Sequence, residues 1–76
     1  MDDNTKILSF IKLRGPSLPV DVASHIGKDS IFVNAMLSEL ISEKKIKISN
    51  LFVGRSKLHF IAGQEDKLQN YSKLEI

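Results

Sequence analysis

The chain has 76 residues, with 11 basic and 9 acidic side chains and a net charge of +2. That length suits one small domain, and a chain of this size buries only about 60% of its unfolded surface, so modest stability is expected. The absence of cysteine excludes a disulfide framework and a thiolate metal site. At 42% hydrophobic and 26% charged, the composition is that of a globular chain and not a disordered tail. No apolar run is long enough to span a bilayer, and Asp2 and Asp3 argue against a positively charged leader. A cytoplasmic setting with no membrane partner is therefore expected. The mild positive balance permits a nucleic-acid partner without demanding one, so the placement of charge matters more than its total.

In chain order, Ile7, Leu8, Phe10 and Ile11 recur at helical spacing and predict a first helix from Thr5 to about Leu13. Asn4 is its expected N-cap, and Gly15-Pro16 its stop. Ser17-Leu18 reads as a short extended bridge. A second helix is predicted from Pro19 to about Ile26, with Pro19 and Asp21 suited to its first turn and Val22, Ala23 and Ile26 facing inward. Gly27-Lys28-Asp29 is a turn, and Asp29 or Ser30 caps a third helix running to about Lys44. Val33, Met36, Leu37, Leu40 and Ile41 form its core face.

After the third helix the period changes. Ile46 and Ile48 alternate with Lys47 and Ser49, and Leu51-Phe52-Val53 is rich in strand formers. Gly54-Arg55-Ser56-Lys57 reads as a hairpin tip and Leu58-His59-Phe60-Ile61 as the returning strand, ended by Gly63. Alternation directs His59 to the sheet face opposite Leu58 and Phe60. A final helix begins at about Glu65, with Leu68, Tyr71 and Leu74 on one side. No repeat, low-complexity segment or interdomain linker is visible.

Two short helices joined by a tight turn at Gly27, with Ala23 at their close approach and Val33 and Met36 resuming an apolar stripe, make a helix-turn-helix pattern. Leu37, Leu40 and Ile46 follow where such a unit closes its third helix and enters a hairpin. On these residues the chain, from about Thr5 to Ile61, resembles winged helix-turn-helix proteins, of the MarR-like kind and of archaea. The resemblance implies an α+β fold with a three-helix core, a two-stranded β-hairpin wing and a short C-terminal helix. The expected division is one domain over 1–76, with a core at about 5–63 and a terminal helix at about 65–75. It also implies that the third helix is the recognition helix, and that double-stranded DNA is the partner, often met as a homodimer. The expected role is transcriptional regulation or chromatin association, at the nucleoid. Winged helices also serve as protein-interaction modules in larger assemblies, and that reading stays open.

The third helix carries no lysine, arginine or glutamine between Ser30 and Glu43. Asn34 can pair with adenine, Ser30 and Ser38 can meet base edges or phosphates, and Ile31, Phe32 and Ala35 can touch thymine methyl groups. The bland alternative is a solvated polar face. Basic residues cluster around the helix: Lys28 before it, Lys44, Lys45 and Lys47 after it, and Arg55 and Lys57 at the hairpin tip. Lys28, Lys45, Arg55 and Lys57 are the candidate phosphate contacts, giving salt-dependent and modestly specific affinity. Ile31, Phe32 and Val33 cannot all face one core, because successive residues turn by about 100°. Ile31 and Phe32 therefore pack on the first or last helix, or meet a partner. Leu68, Tyr71 and Leu74 pose the same choice between folding back and dimerising. His25 and His59 lack a second ligand at metal-binding spacing and a nucleophile to activate, and no glycine-rich phosphate loop is present. Neither an enzyme nor a metal or cofactor is expected.

Overall fold

The computed structural model describes the backbone of residues 2–72 and the side chains through Gln69. Its elements are α1 (Asp3–Arg14), α2 (Pro19–Ile26), α3 (Ser30–Ser42), β1 (Lys47–Val53), β2 (Ser56–Phe60) and α4 (Glu65–Ser72). This is the α+β order expected of a three-helix core followed by a two-stranded wing and a short helix.

The first helix starts earlier than expected, at Asp3, and its N-cap is Asp2, not Asn4. The Asp2 carboxylate accepts the Thr5 amide at 2.7 Å. A carboxylate satisfies an orphan donor and also complements the positive end of the helix, two gains that a carboxamide combines less well. That same amide holds the Asp2 carboxyl below its ordinary value of 3.8. Asn4 lies inside the helix, and its Oδ1 is buried without a hydrogen-bond partner among the described residues.

Ile7 and Ile11, one turn apart on α1, are fully buried against Val22 and Ala23 of α2 and Val33, Leu37 and Leu40 of α3. Each large aliphatic side chain so buried contributes about 1.5–3 kcal/mol of hydrophobic stabilisation before entropy is counted. Ile46 completes this core immediately before β1. Leu8, Phe10, Ile26, Met36 and Ile41 pack around it, half-buried.

Helix α3 ends at Ser42, two residues short of Lys44. Lys44 adopts a left-handed φ of 63°. Its amide donates to the Ile41 carbonyl at 2.9 Å, and the Lys45 amide donates to the Leu40 carbonyl at 3.0 Å. These two bonds form a Schellman cap, which glycine usually provides. With lysine in that position the sequence carries no stop signal.

The wing is an antiparallel pair in which Ile48 lies opposite His59, and Phe52 opposite Lys57. Residues 49–51 therefore face the single residue Leu58, and β1 bulges. The Ser49 hydroxyl holds the bulge by accepting the Leu51 amide at 3.1 Å and donating to the Leu51 carbonyl at 3.3 Å. The bulge changes the expected pattern: Ser49 is buried, whereas Ile48 is exposed. The tip is only Gly54-Arg55, and Ser56 and Lys57 belong to β2. Gly54 has a φ of 66°, the left-handed geometry that a two-residue hairpin turn requires at its first position.

Ser17, in the expected extended bridge, pairs with His59 through two backbone bonds of 2.8 Å. This contact ties the α1–α2 connection to the wing and helps explain why Leu58, His59 and Phe60 are all buried. The His59 Nδ1–H donates to the Lys57 carbonyl at 3.1 Å. Beyond the wing, Gln64 is buried and spans two elements. Its Nε2 donates to the Ile11 carbonyl at 2.8 Å, and its Oε1 accepts the Ile61 amide at 3.0 Å. Helix α4 then lies against β1, where Lys47 and Glu65 approach to 4.0 Å.

Two outcomes follow from this packing. Gln64→Ala removes one of two bonds to the Ile11 carbonyl and strands the Ile61 amide; it should cost about 1–3 kcal/mol, read as a lower urea midpoint. Burial holds the His59 imidazole below its ordinary value of 6.5, against the opposing effect of the Lys57 carbonyl. The unfolded chain therefore binds the proton more tightly. Stability should be full above pH 6.5 and fall as pH drops from there through the lower folded-state value. Urea midpoints at about pH 7.5 and about pH 5.5 should show this loss, and His59→Gln should flatten it.

Candidate nucleic-acid interface

The orientation of α3 is set locally at the turn. Gly27 takes a left-handed φ of 72°, and its amide donates to the Ala23 carbonyl at 2.9 Å. Asp29 is the N-cap of α3, its carboxylate accepting the Phe32 amide at 2.9 Å. With Val33, Leu37 and Leu40 turned inward, the outer face presents Ile31, Asn34, Ala35, Ser38 and Ser42, all exposed. Ser30 is exposed at the first helical position.

Of the two apolar residues at the start of α3, neither is buried by a neighbouring element: Ile31 is 83% exposed and Phe32 43%. The Phe32 ring instead carries the Lys28 ammonium 5.7 Å from its centroid. The wing repeats the arrangement, with the Lys57 ammonium 5.3 Å from the Phe52 centroid. A cation over an exposed ring gains about 0.5–1 kcal/mol and stays accessible to an anion. Arg55 is exposed at the tip.

The candidate cations differ in what they face. Lys45 pairs with Glu43 at 3.4 Å, so a phosphate would have to compete with that carboxylate. Lys28, Arg55 and Lys57 form no ion pair among the described residues. Phe52 was hidden at the sequence level, because its partnership with Lys57 depends on the register beyond the bulge. Ile48, also exposed, was hidden for the same reason.

Leu68 is half-buried on α4. Leu74 lies outside the described residues, as does the side chain of Tyr71. His25 stacks on Phe10 with centroids 4.4 Å apart, and the Arg14 guanidinium lies over the same ring at 5.5 Å. Among the described residues there is no cluster of acidic or histidine side chains able to hold a metal, and no pocket of ligand size. No helix among them is long and apolar enough to cross a membrane.

No protein-family model and no curated protein matches this sequence. Solved structures do. The Zalpha domain of Carassius auratus PKZ, in complex with Z-DNA, superposes with a TM-score of 0.70 at 25% identity, covering 78% of this chain and 90% of that one. The transcriptional regulator Tm0710 of Thermotoga maritima gives 0.72 at 15% identity, over 97% of this chain and 52% of the regulator. Staphylococcus aureus MarR, in complex with salicylate and kanamycin, gives 0.71 at 17% identity, over 97% and 50%. The chain thus spans nearly all of a Zalpha domain and about half of each regulator. It has the winged helix-turn-helix fold, and its structural neighbours include a Zalpha domain, a transcriptional regulator and a MarR protein.

Proposed function

We propose that residues 1–76 act as one winged unit that binds duplex DNA, as a transcriptional regulator or chromatin-associated factor in the cytoplasm or on the nucleoid. The observation that carries this reading is electrostatic. An α3 face without charge is flanked by Lys28 and the wing cations Arg55 and Lys57, none of them paired with a carboxylate among the described residues. A duplex groove has the complementary form, with phosphates along its walls and base edges on its floor. Helix α3 enters the major groove, and Lys28, Arg55 and Lys57 meet the backbone. Lys45 contributes after exchanging Glu43 for phosphate. Asn34 and Ser38 approach base edges, with Ser30 at the helix start. The Zalpha neighbour was solved on DNA and another neighbour is a transcriptional regulator, which supports binding as the role. Catalysis has no support from the histidines, because His25 is stacked on a ring and His59 is bonded to a backbone carbonyl.

A mixed-sequence duplex titrated at low and moderate salt tests the proposal. Affinity should fall steeply as salt rises, and Arg55→Ala should reduce the slope of log K against log salt by about one. No binding even at low salt would overturn it.

The exposure of Ile31 and Phe32 favours a second reading, in which α3 meets a protein partner or a second copy of the chain. Leu68, Tyr71 and Leu74 would extend that contact. Because Phe32 is not in the core, Phe32→Ser should cost no more than about 1 kcal/mol of thermal stability, the worth of the lost Lys28–ring contact. On this second reading the variant also sediments as a smaller species than the parent. Identical sedimentation of parent and variant as monomers removes self-association.

A further inference from the structure

The outward stripe of α3 has a composition suited to one kind of base pair. Taking Ile31 as reference and about 100° per residue, Asn34, Ala35, Ser38 and Ser42 all fall within about 60° of it. Val33, Leu37 and Leu40 fall on the far side, and burial divides the helix in the same way. Glu39 and Glu43 lie further round, on the flank shared with Phe32, about 80–120° from the reference. The stripe itself is therefore uncharged, and its N-terminal half offers one carboxamide between two methyl-bearing side chains.

In the major groove adenine presents an acceptor and a donor side by side, and thymine presents a methyl group. Guanine presents two acceptors, which call for a doubly donating arginine or lysine, and cytosine presents a donor, which calls for a carboxylate. Asn34 supplies the donor and acceptor that adenine needs. Ile31, 83% exposed, and Ala35, one turn on, supply apolar contacts for thymine methyl groups. The stripe holds no arginine, lysine or carboxylate, the types that discriminate guanine or cytosine, and its serines bond any base without discriminating. From Ile31 to Asn34 and Ala35 the helix rises about 4.5–6 Å, within two base-pair steps, so these contacts reach adjacent pairs.

We infer that α3 selects A·T base pairs, Asn34 bonding the adenine edge while Ile31 and Ala35 cover thymine methyl groups. The inference rests on the duplex-binding proposal and names its specificity. The duplex is favoured as occupant by charge complementarity. Lys28 and Lys44 at the ends of α3, with Arg55 and Lys57 on the wing, form no ion pairs among the described residues, whereas the stripe between them is neutral.

The test measures anisotropy of the full chain with labelled duplexes. One is A·T-rich. The second is the same duplex with uracil for thymine, which removes only the methyl groups. The third carries 7-deazaadenine, which removes the adenine N7 acceptor. The last two are a G·C-rich duplex and an alternating cytosine–guanine duplex held in the left-handed form. The chain should bind the A·T duplex about fivefold or more tighter than the G·C duplex. Uracil should weaken binding in the parent and weaken it less in Ile31→Ser, which keeps only the Ala35 contact. 7-Deazaadenine should weaken the parent and make no difference to Asn34→Ala. Both variants replace exposed residues, and circular dichroism checks that they fold. Equal affinity for the thymine and uracil duplexes, with the steep salt dependence retained, would overturn the inference and leave duplex binding standing. Tighter binding to the left-handed duplex than to the A·T duplex would also overturn it. Absence of binding to every duplex at low salt removes the underlying proposal, and the inference falls with it.

Discussion

Burial of Val33, Leu37 and Leu40 against Ile7, Ile11 and Val22 sets the rotation of α3 about its own axis, and everything that α3 presents to solvent depends on that angle. A rotation by one residue, about 100°, in the sense that brings Glu39 to the outer face would turn Asn34 toward the core. Three fully buried aliphatic side chains on one helix make such a rotation expensive. The turn adds a second restraint. Gly27 in its left-handed conformation and Asp29 at the N-cap determine where α3 begins and in which direction it leaves α2. The outer stripe is thus held by an apolar core and a capped turn, with no contribution from its own residues.

The wing is held to the same frame by polar contacts. Ser17 pairs with His59 across two backbone bonds, and Gln64 links the exit of the wing to the last turn of α1. These contacts lie in buried surroundings, where an unmet donor or acceptor is costly. They tie the base of the hairpin to the helical core. Arg55 and Lys57 can then act from a defined platform instead of from a free loop. The bulge at residues 49–51 matters in the same way, because it places Phe52 opposite Lys57 and leaves an ammonium over an exposed ring.

Charge and shape have separate sources in this molecule. Shape comes from α3, which is neutral along its outward stripe. Positive charge comes from the turn before it, the residues after it and the wing. Such a division gives attraction to a polyanion that depends little on sequence, with discrimination left to a few short side chains. The pairing of Lys45 with Glu43 shows that position along the chain is a poor guide to available charge, since that neighbouring carboxylate competes for the ammonium.

Local chemistry in the sequence determined most of the architecture. Pro19, Gly27 and Asp29 marked the two ends and the cap of the helix-turn-helix, and the apolar spacing from Ile7 to Leu40 assigned the core faces. These signals act over a few residues and need no partner. The misplaced features all depend on contacts that are distant or atypical. Asp2 displaced Asn4 as the cap because its carboxylate reaches the Thr5 amide from two residues further out than the expected cap. Helix α3 stopped at Ser42 because Lys44 adopts the left-handed conformation in place of a glycine. Ile48 was left exposed and Ser49 buried because a hydroxyl stabilised a bulge that strict alternation does not foresee. For the candidate site, the sequence named the cations and the polar residues of α3. Only the tertiary structure decided which of them face outward and which are already paired, because the rotation of a helix and the register of a hairpin are fixed by packing between elements far apart in the chain.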